Sequence, residues 1–429
     1  MSPKFSDHFL NRQPSAIRQA QILFAQRDDS DSVEVINLAI GNVSLPMHPA
    51  MQERMKELGK TRLSDGVVKY TASVGTEEAQ QAFLNIIGSE GVDTTNLHCI
   101  ITDGGSQAME LMMLGVCGPN AHQPLMLLDP AYTNYLEFGK RISAPIITGN
   151  RTIQQDGSFD SLDYVAIEKQ ILQEKPSALL VIPTDNPTGQ FLTQDTLNRL
   201  AQMCVKYDIW MVSDEAYRQL YFGSEGSSSI WNISEKEVPG IFGSRISIES
   251  SSKVWNACGL RIGGLVTDNV DFHQKAVSEY TANLCANAIG QEIFGALAHE
   301  SHDDLHRWYA KQRIYYKTLI LPLRQGLKDA IPGLIVSNPE AAIYFVIDFR
   351  DICSDDFDAK EFVKFCAIEG SVRLKDQKDY TVLLAPMGGF YANPSLGKTQ
   401  MRVAIVAPEE QIKKTPVVLA KLYGAFLNR

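Results

Sequence analysis

The sequence predicts an α/β protein, with a large domain over 48–300 and a smaller α+β domain formed by 1–47 and 301–429. Two observations carry this. Between about 99 and 267, short and nearly unbroken apolar runs alternate with amphipathic stretches, as expected for strands buried on both faces of a mostly parallel sheet under helices. Beyond about 305 that alternation gives way to a long amphipathic helix, then mixed strands and helices.

The strands are expected at Cys99-Ile100-Ile101-Thr102, Leu125-Met126-Leu127-Leu128, Ala178-Leu179-Leu180-Val181-Ile182, Ile209-Trp210-Met211-Val212, Ile246-Ser247-Ile248 and Leu265-Val266. Helices are expected over 106–116 and 193–206. The second opens on Thr193-Gln194-Asp195-Thr196, and Leu197, Leu200, Ala201 and Cys204 recur at helical spacing. In the smaller domain, helices are expected over 304–327, over 358–369 and from Glu409 onward. Strands are expected over 342–347, 382–384 and 401–406, and an N-terminal helix over 17–26 should pack against them.

Composition narrows the function class. A formal charge of −10 argues against non-specific nucleic-acid binding, which depends on positive charge. No apolar run approaches the roughly 20 residues that span a bilayer, and the first eight residues lack a secretory pattern, so a cytosolic protein is expected. Seven dispersed cysteines without Cys-x-x-Cys read as reduced thiols rather than a disulfide framework or zinc site. Cys258, between Ala257 and Gly259, reads as packing.

Chemistry concentrates where apolar runs end, the place where open α/β sheets bind ligands. Ser250-Ser251-Ser252-Lys253, followed by Arg261 and Gly263, joins a lysine, hydroxyls and a guanidinium. That set suits an enzyme holding a phosphorylated aldehyde: the deprotonated amine forms the imine, and the arginine and serines bind the phosphate. The freed amine can then act as general base and acid. Gly104-Gly105-Ser106-Gln107 follows a strand and opens a helix, where free N–H groups favour an anion; many strand–helix turns also contain such a pair. Asp214 ends an apolar strand and suits a protonated pyridine nitrogen, and Asn186 and Tyr217 can each donate to a phenolate oxygen. Taken alone, Asp214 also reads as a helix cap and Asn186-Pro187-Thr188-Gly189 as a plain turn.

The ordered set Gly105-Ser106-Gln107, Asn186-Pro187-Thr188-Gly189, Asp214-x-x-Tyr217, Ser250-x-Ser252-Lys253 and Arg261-x-Gly263 resembles the aspartate aminotransferase family (class I/II) of fold type I, over nearly the whole chain. The resemblance implies a seven-stranded-type sheet, pyridoxal 5'-phosphate as cofactor, and exchange of an amino group between an L-amino acid and a 2-oxo acid. It implies that Lys253 bonds the cofactor and that Asp214, Asn186, Tyr217 and Tyr132 hold its ring. Gly105, Ser106, Gln107, Ser250, Ser252 and Arg261 would hold the phosphate, with Tyr70 reaching across from the other subunit of a homodimer. Arg402, helped by Asn186 and Gly41, would orient the substrate α-carboxylate.

Two departures bear on specificity. Relatives specific for aspartate carry an arginine lent by the partner subunit, where this chain reads Ser278-Glu279-Tyr280-Thr281-Ala282-Asn283-Leu284-Cys285. Recognition of a side-chain carboxylate in that way is therefore not expected. Val43-Ser44-Leu45-Pro46 is a variant loop that could shape the side-chain pocket. The same scaffold also admits a carbon–sulfur lyase or other carbanion chemistry, since the cofactor carries the reaction. A cofactor-sensing transcription regulator would need a basic helix-turn-helix, which the residues before Leu38 do not show, and a Rossmann dehydrogenase would need a Gly-x-Gly-x-x-Gly after its first strand, which is not seen either. His302 and His306 could share a helical face, but their acidic, polar setting reads as a solvated helix and no metal is expected.

Overall fold

The computed structural model describes residues 3–10, 12, 15–224 and 226–429. Strand β1 (Val33–Asn37) is followed by two helices, Pro49–Glu57 and Glu77–Gly88, the latter capped by the Thr76 hydroxyl. Seven strands come next: β2 (His98–Asp103), β3 (Leu125–Asp129), β4 (Ile146–Asn150), β5 (Ala178–Val181), β6 (Trp210–Asp214), β7 (Arg245–Ser250) and β8 (Ile262–Thr267). They form one sheet in the order β2-β8-β7-β6-β5-β3-β4. Only β8 opposes its neighbours; the remaining pairings are parallel.

Why the strands are nearly all apolar is visible in where successive side chains go. Leu125 and Leu127 of β3, with Ala178 and Leu180 of β5, enter one core. Met126, Leu128, Leu179 and Val181 enter another, on the opposite face. Helices close both cores. Gly105–Val116 contributes Ala108, Met109 and Met112 to the first, and Gln194–Lys206 contributes Leu197, Leu200 and Cys204 to the second. Thr193 caps the latter helix from its expected place, its hydroxyl accepting the Thr196 N–H at 3.3 Å.

The remaining strands are β9 (Ile335–Val336), β10 (Tyr344–Asp348), β11 (Val372–Arg373), β12 (Asp379–Leu383), β13 (Ala385–Pro386) and β14 (Gln400–Ala404). They build two smaller sheets, β1-β12-β11 and β13-β14-β10-β9. The helix His302–Ala330 leads into them, and Ala359–Ile368 and Glu409–Leu427 pack over them. The helix Ala16–Ala25 lies against Ala359–Ile368. The strand expected from 342 starts two residues later. Ala342 takes a left-handed φ of 57° and donates its N–H to the Leu220 carbonyl, which turns the chain before β10. No helix among the described residues is long and apolar enough to cross a membrane.

Topology gathers the chemistry at one edge. The carboxyl ends of β2, β3, β5, β6 and β7 lie there, and because β8 is reversed, its amino end lies there too. Thus Asp103 pairs with Ile262, and Ser250 with Gly263, which brings Arg261 to the turn after β2. A Cβ at Gly263 would collide with the Gly104 backbone, so this close approach requires glycine.

Candidate active site

A cavity of about 880 Å³ opens over that edge. Gly41, Gly105, Ser106, Tyr132, Asn186, Asp214, Tyr217, Ser250, Ser252, Lys253, Arg261 and Arg402 all contribute to its wall. Two of the expected residues do not. Gln107 points away: its Oε1 accepts the Asp103 N–H at 2.8 Å and the Tyr280 hydroxyl at 2.7 Å, tying the helix start to the sheet. Tyr70 is 78% exposed and lies on a separate surface hollow beside Val67, Val68 and Ile289.

The floor is set by Asp214 at the end of β6. It is buried, and burial pushes its carboxyl up to about 6, against hydrogen bonds that favour the charged form. Those bonds come from the Tyr135 hydroxyl at 2.7 Å and the Ala216 N–H at 3.1 Å. Among the described residues it has no cationic partner. A buried carboxylate in that condition calls for one.

Lys253 reaches across the cavity to donate from Nζ to the Gly41 carbonyl. A side chain at position 41 would land on the Tyr344 hydroxyl and stand 3.1 Å from Lys253 Nζ. Tyr344, which the sequence reading missed, shares a 2.7 Å hydrogen bond with the Tyr217 hydroxyl. Burial raises Tyr217 well above the usual phenol range and pushes Tyr132 up to about 12, so both keep their protons as donors. Tyr135 was missed as well. Both rings are buried, Tyr344 on a wholly buried strand and Tyr135 on the apolar face of the Thr133–Ile142 helix, and their hydroxyl partners lie far away in sequence.

Beside the turn after β2, Arg261 adopts a left-handed φ of 56°. It donates to the carbonyls of Cys258 at 3.1 Å and Asp103 at 3.3 Å, which fixes the guanidinium beside Gly104. The Ser250 hydroxyl accepts the Ser252 N–H at 3.0 Å, and Ser106 is on the first turn of the Gly105–Val116 helix. Cys258, expected to be mere packing, lines the cavity and directs its thiol to Asn42 Oδ1 at 3.2 Å.

Arg402 on β14 closes the opposite wall. Nη1 donates to Asn186 Oδ1 at 2.8 Å and Nη2 to the Ala39 carbonyl at 2.6 Å. The guanidinium lies between the rings of Tyr344 and Phe390, 4.3 and 5.0 Å from their centroids. Its Nε is buried with no hydrogen-bond partner. The Asn186 carbonyl is spent on Arg402, leaving that amide's N–H groups to donate into the cavity.

Beneath this surface, Arg218 is buried among three carboxylates: Glu249 at 2.6 Å, Glu90 at 2.7 Å and Glu215 at 3.6 Å. Glu215 and Glu249 adjoin Asp214 and Ser250, so the cluster braces both from below. Two of the histidines of 299–306 have partners away from the cavity. His299 is 2.7 Å from Glu78, and His306 is 2.7 Å from the Ser89 carbonyl.

A profile of the family described as aminotransferase class I and II matches residues 33–414. The chain belongs to the class I and II aminotransferases. Members of this family depend on pyridoxal phosphate, and the cavity fits that cofactor: Asp214 lacks a cation, and serines, helix N–H groups and Arg261 stand together on one wall. The chain is 24% identical over 397 residues to an aspartate aminotransferase of Sulfurisphaera tokodaii, covering 91% of this chain and 90% of that one. It is 24% identical over 313 residues to an aspartate/prephenate aminotransferase of Thermus thermophilus, covering 72% and 76%. In fold it resembles an N-succinyldiaminopimelate aminotransferase from Mycobacterium tuberculosis, with a TM-score of 0.80 at 20% identity over 98% of this chain and 100% of the other.

Proposed function

We propose that this aminotransferase moves the amino group of an L-amino acid to a 2-oxo acid, with Lys253 as the residue that bonds the cofactor. When bound, pyridoxal phosphate supplies a reactive aldehyde and a conjugated ring that accepts the electrons of a deprotonated amino-acid Cα. The observation that carries the assignment is that Lys253 shares one cavity with the Arg402 guanidinium and with Asp214, whose buried carboxyl has no cationic partner among the described residues.

Each residue then has a physical task. Asp214 supplies the negative charge for a pyridine nitrogen, and Asn186 and Tyr217 donate hydrogen bonds to the ring oxygen. Tyr132 contributes an aromatic face. Gly105, Ser106, Ser250, Ser252 and Arg261 hold the phosphate. Arg402 takes the substrate α-carboxylate; support comes from its guanidinium, which lines the cavity beside the Asn186 amide. With the carboxylate fixed, the substrate Cα is presented to Lys253, whose Nζ removes its proton.

Two copies of the chain complete each site. Support comes from Tyr70, whose exposed ring shares a surface hollow with exposed Val67, Val68 and Ile289, a surface suited to burial against a second subunit. In that reading Tyr70 extends to the other subunit's phosphate.

Borohydride reduction of the native protein, digestion and peptide mass analysis test the assignment. The cofactor mass should be fixed to Lys253, and Lys253→Ala should lose both the adduct and turnover. Adduct at another lysine would overturn it. Purified enzyme given an amino acid and 2-oxoglutarate or pyruvate should yield the matching oxo acid. Release of pyruvate and ammonia without an acceptor would favour the lyase instead.

A further inference from the structure

Among the described residues, five charged ones line the cavity: Arg18, Asp214, Lys253, Arg261 and Arg402. The proposed function, on which this step rests, uses four of them: Arg261 for phosphate, Lys253 for the aldehyde, Asp214 for the ring nitrogen and Arg402 for the α-carboxylate. Arg18 has no task. We propose that Arg18 binds a second anionic group on the substrate, the side-chain carboxylate of a dicarboxylic amino acid or 2-oxo acid.

Its surroundings favour this over an ordinary surface arginine. Arg18 lies on the first turn and a half of the Ala16–Ala25 helix, whose Ser15 hydroxyl accepts the Arg18 N–H at 3.4 Å. Among the described residues no carboxylate is in ion-pair range of its guanidinium. Its one side-chain contact of that kind is weak, from Nη1 to Gln21 Oε1 at 3.5 Å. Arg27, just past the same helix, shows what a committed structural arginine looks like here. It is buried, donates to the carbonyls of Gly370 at 3.2 Å and Cys366 at 3.5 Å, and holds Asp29. Arg27 thus moors the far end of the helix, while the near end carries an uncommitted cation at the cavity.

Polar groups continue the same wall. Ser15 and Gln21 touch Arg18, and Asn37, Ser44 and Gln411 also line the cavity and add neutral donors and acceptors. The chain has no arginine over 278–285, so a side-chain carboxylate needs another cation. Arg18 provides one from within the same subunit. Because it is exposed, the pair would keep some water, and its contribution should be moderate: about tenfold in affinity rather than the far larger factor of a dry pair.

The test compares ligands that differ in the second carboxylate. Glutarate and pentanoate are titrated into cofactor-loaded wild type, Arg18→Gln and Arg402→Gln by calorimetry. The acceptors 2-oxoglutarate and 2-oxopentanoate are compared by steady-state kinetics. Wild type should favour the dicarboxylates about tenfold or more. Arg18→Gln should abolish that preference through KM, leaving 2-oxopentanoate turnover within about twofold, and Arg18→Lys should restore part of it. Arg402→Gln should instead weaken both acceptors. Wild type without a dicarboxylate preference, or Arg18→Gln losing both acceptors equally, overturns the role of Arg18. If no donor and acceptor pair turns over and borohydride fixes no cofactor at Lys253, the transfer reading falls and this assignment with it.

Discussion

Asp214 carries a charge requirement that the polypeptide alone does not meet. Its carboxyl ionises near 6 in the folded protein and near 3.8 in an unfolded chain. Between those values the folded, cofactor-free protein holds a proton that the unfolded chain has released. Its stability therefore falls as pH rises from about 4 to about 6, and stays lowered above that. The loss should be on the order of 1–3 kcal/mol. Urea unfolding of the cofactor-free protein at pH 5 and 7.5 should show it in wild type, and Asp214→Asn should remove it. Bound cofactor should flatten the wild-type dependence by supplying the missing cation. An equal fall in Asp214→Asn would mean that other groups cause the pH dependence. Tyr135 is coupled to the same balance, since its hydroxyl donates to the carboxylate that the cofactor would need charged.

At the scale of elements, strands β6 and β7 place Asp214 and Ser250 and then hand them to a buried charge cluster. Arg218 offsets three carboxylates in the interior, and burial raises Glu90 and Glu249 above the ordinary carboxylate range. Replacing it with methionine keeps volume and strips the compensation. Arg218→Met should therefore lower the unfolding free energy by about 3–5 kcal/mol, measured by urea denaturation. A loss within experimental scatter would show that the carboxyls simply take up protons at little cost. Much of this arrangement was legible in the sequence, for a stated reason. Central strands buried on both faces are almost wholly apolar, and the residues at their ends are the ones that meet ligand. The edge strand Ile146–Asn150 escaped notice because its half-buried Thr148, Gly149 and exposed Asn150 break the pattern. Strand β1 did too, since its ladder partner β12 lies more than 340 residues away. Gln107 was placed by resemblance, yet its amide is spent on the Asp103 backbone, a contact that no local pattern reveals. Arg18 was unreadable for a similar reason. Only the fold of the Ala16–Ala25 helix over the cavity gives it an address.

The whole molecule raises a question that one chain does not answer within itself, because Tyr70 stands apart from the cavity that contains Lys253. A tyrosine with an exposed ring among exposed aliphatic side chains gains most by being covered, and a twofold pair would cover the same patch on both copies. If Tyr70 then serves the other subunit's phosphate, each site draws on two chains. Tyr70→Ala and Lys253→Ala would each damage both sites of their own dimer. In a mixed dimer, however, the Lys253 of the first variant would face the Tyr70 of the second, and one intact site would return. Differently tagged copies of the two variants, unfolded together and refolded, should therefore recover about a quarter of wild-type activity in a random mixture. The activity should reside in dimers that carry both tags, which sequential affinity capture isolates. Mixed dimers no more active than the separate parents would place Tyr70 outside the partner's site. Activity that returns without both tags would point to a contaminant or to cofactor reloading rather than to sharing between chains.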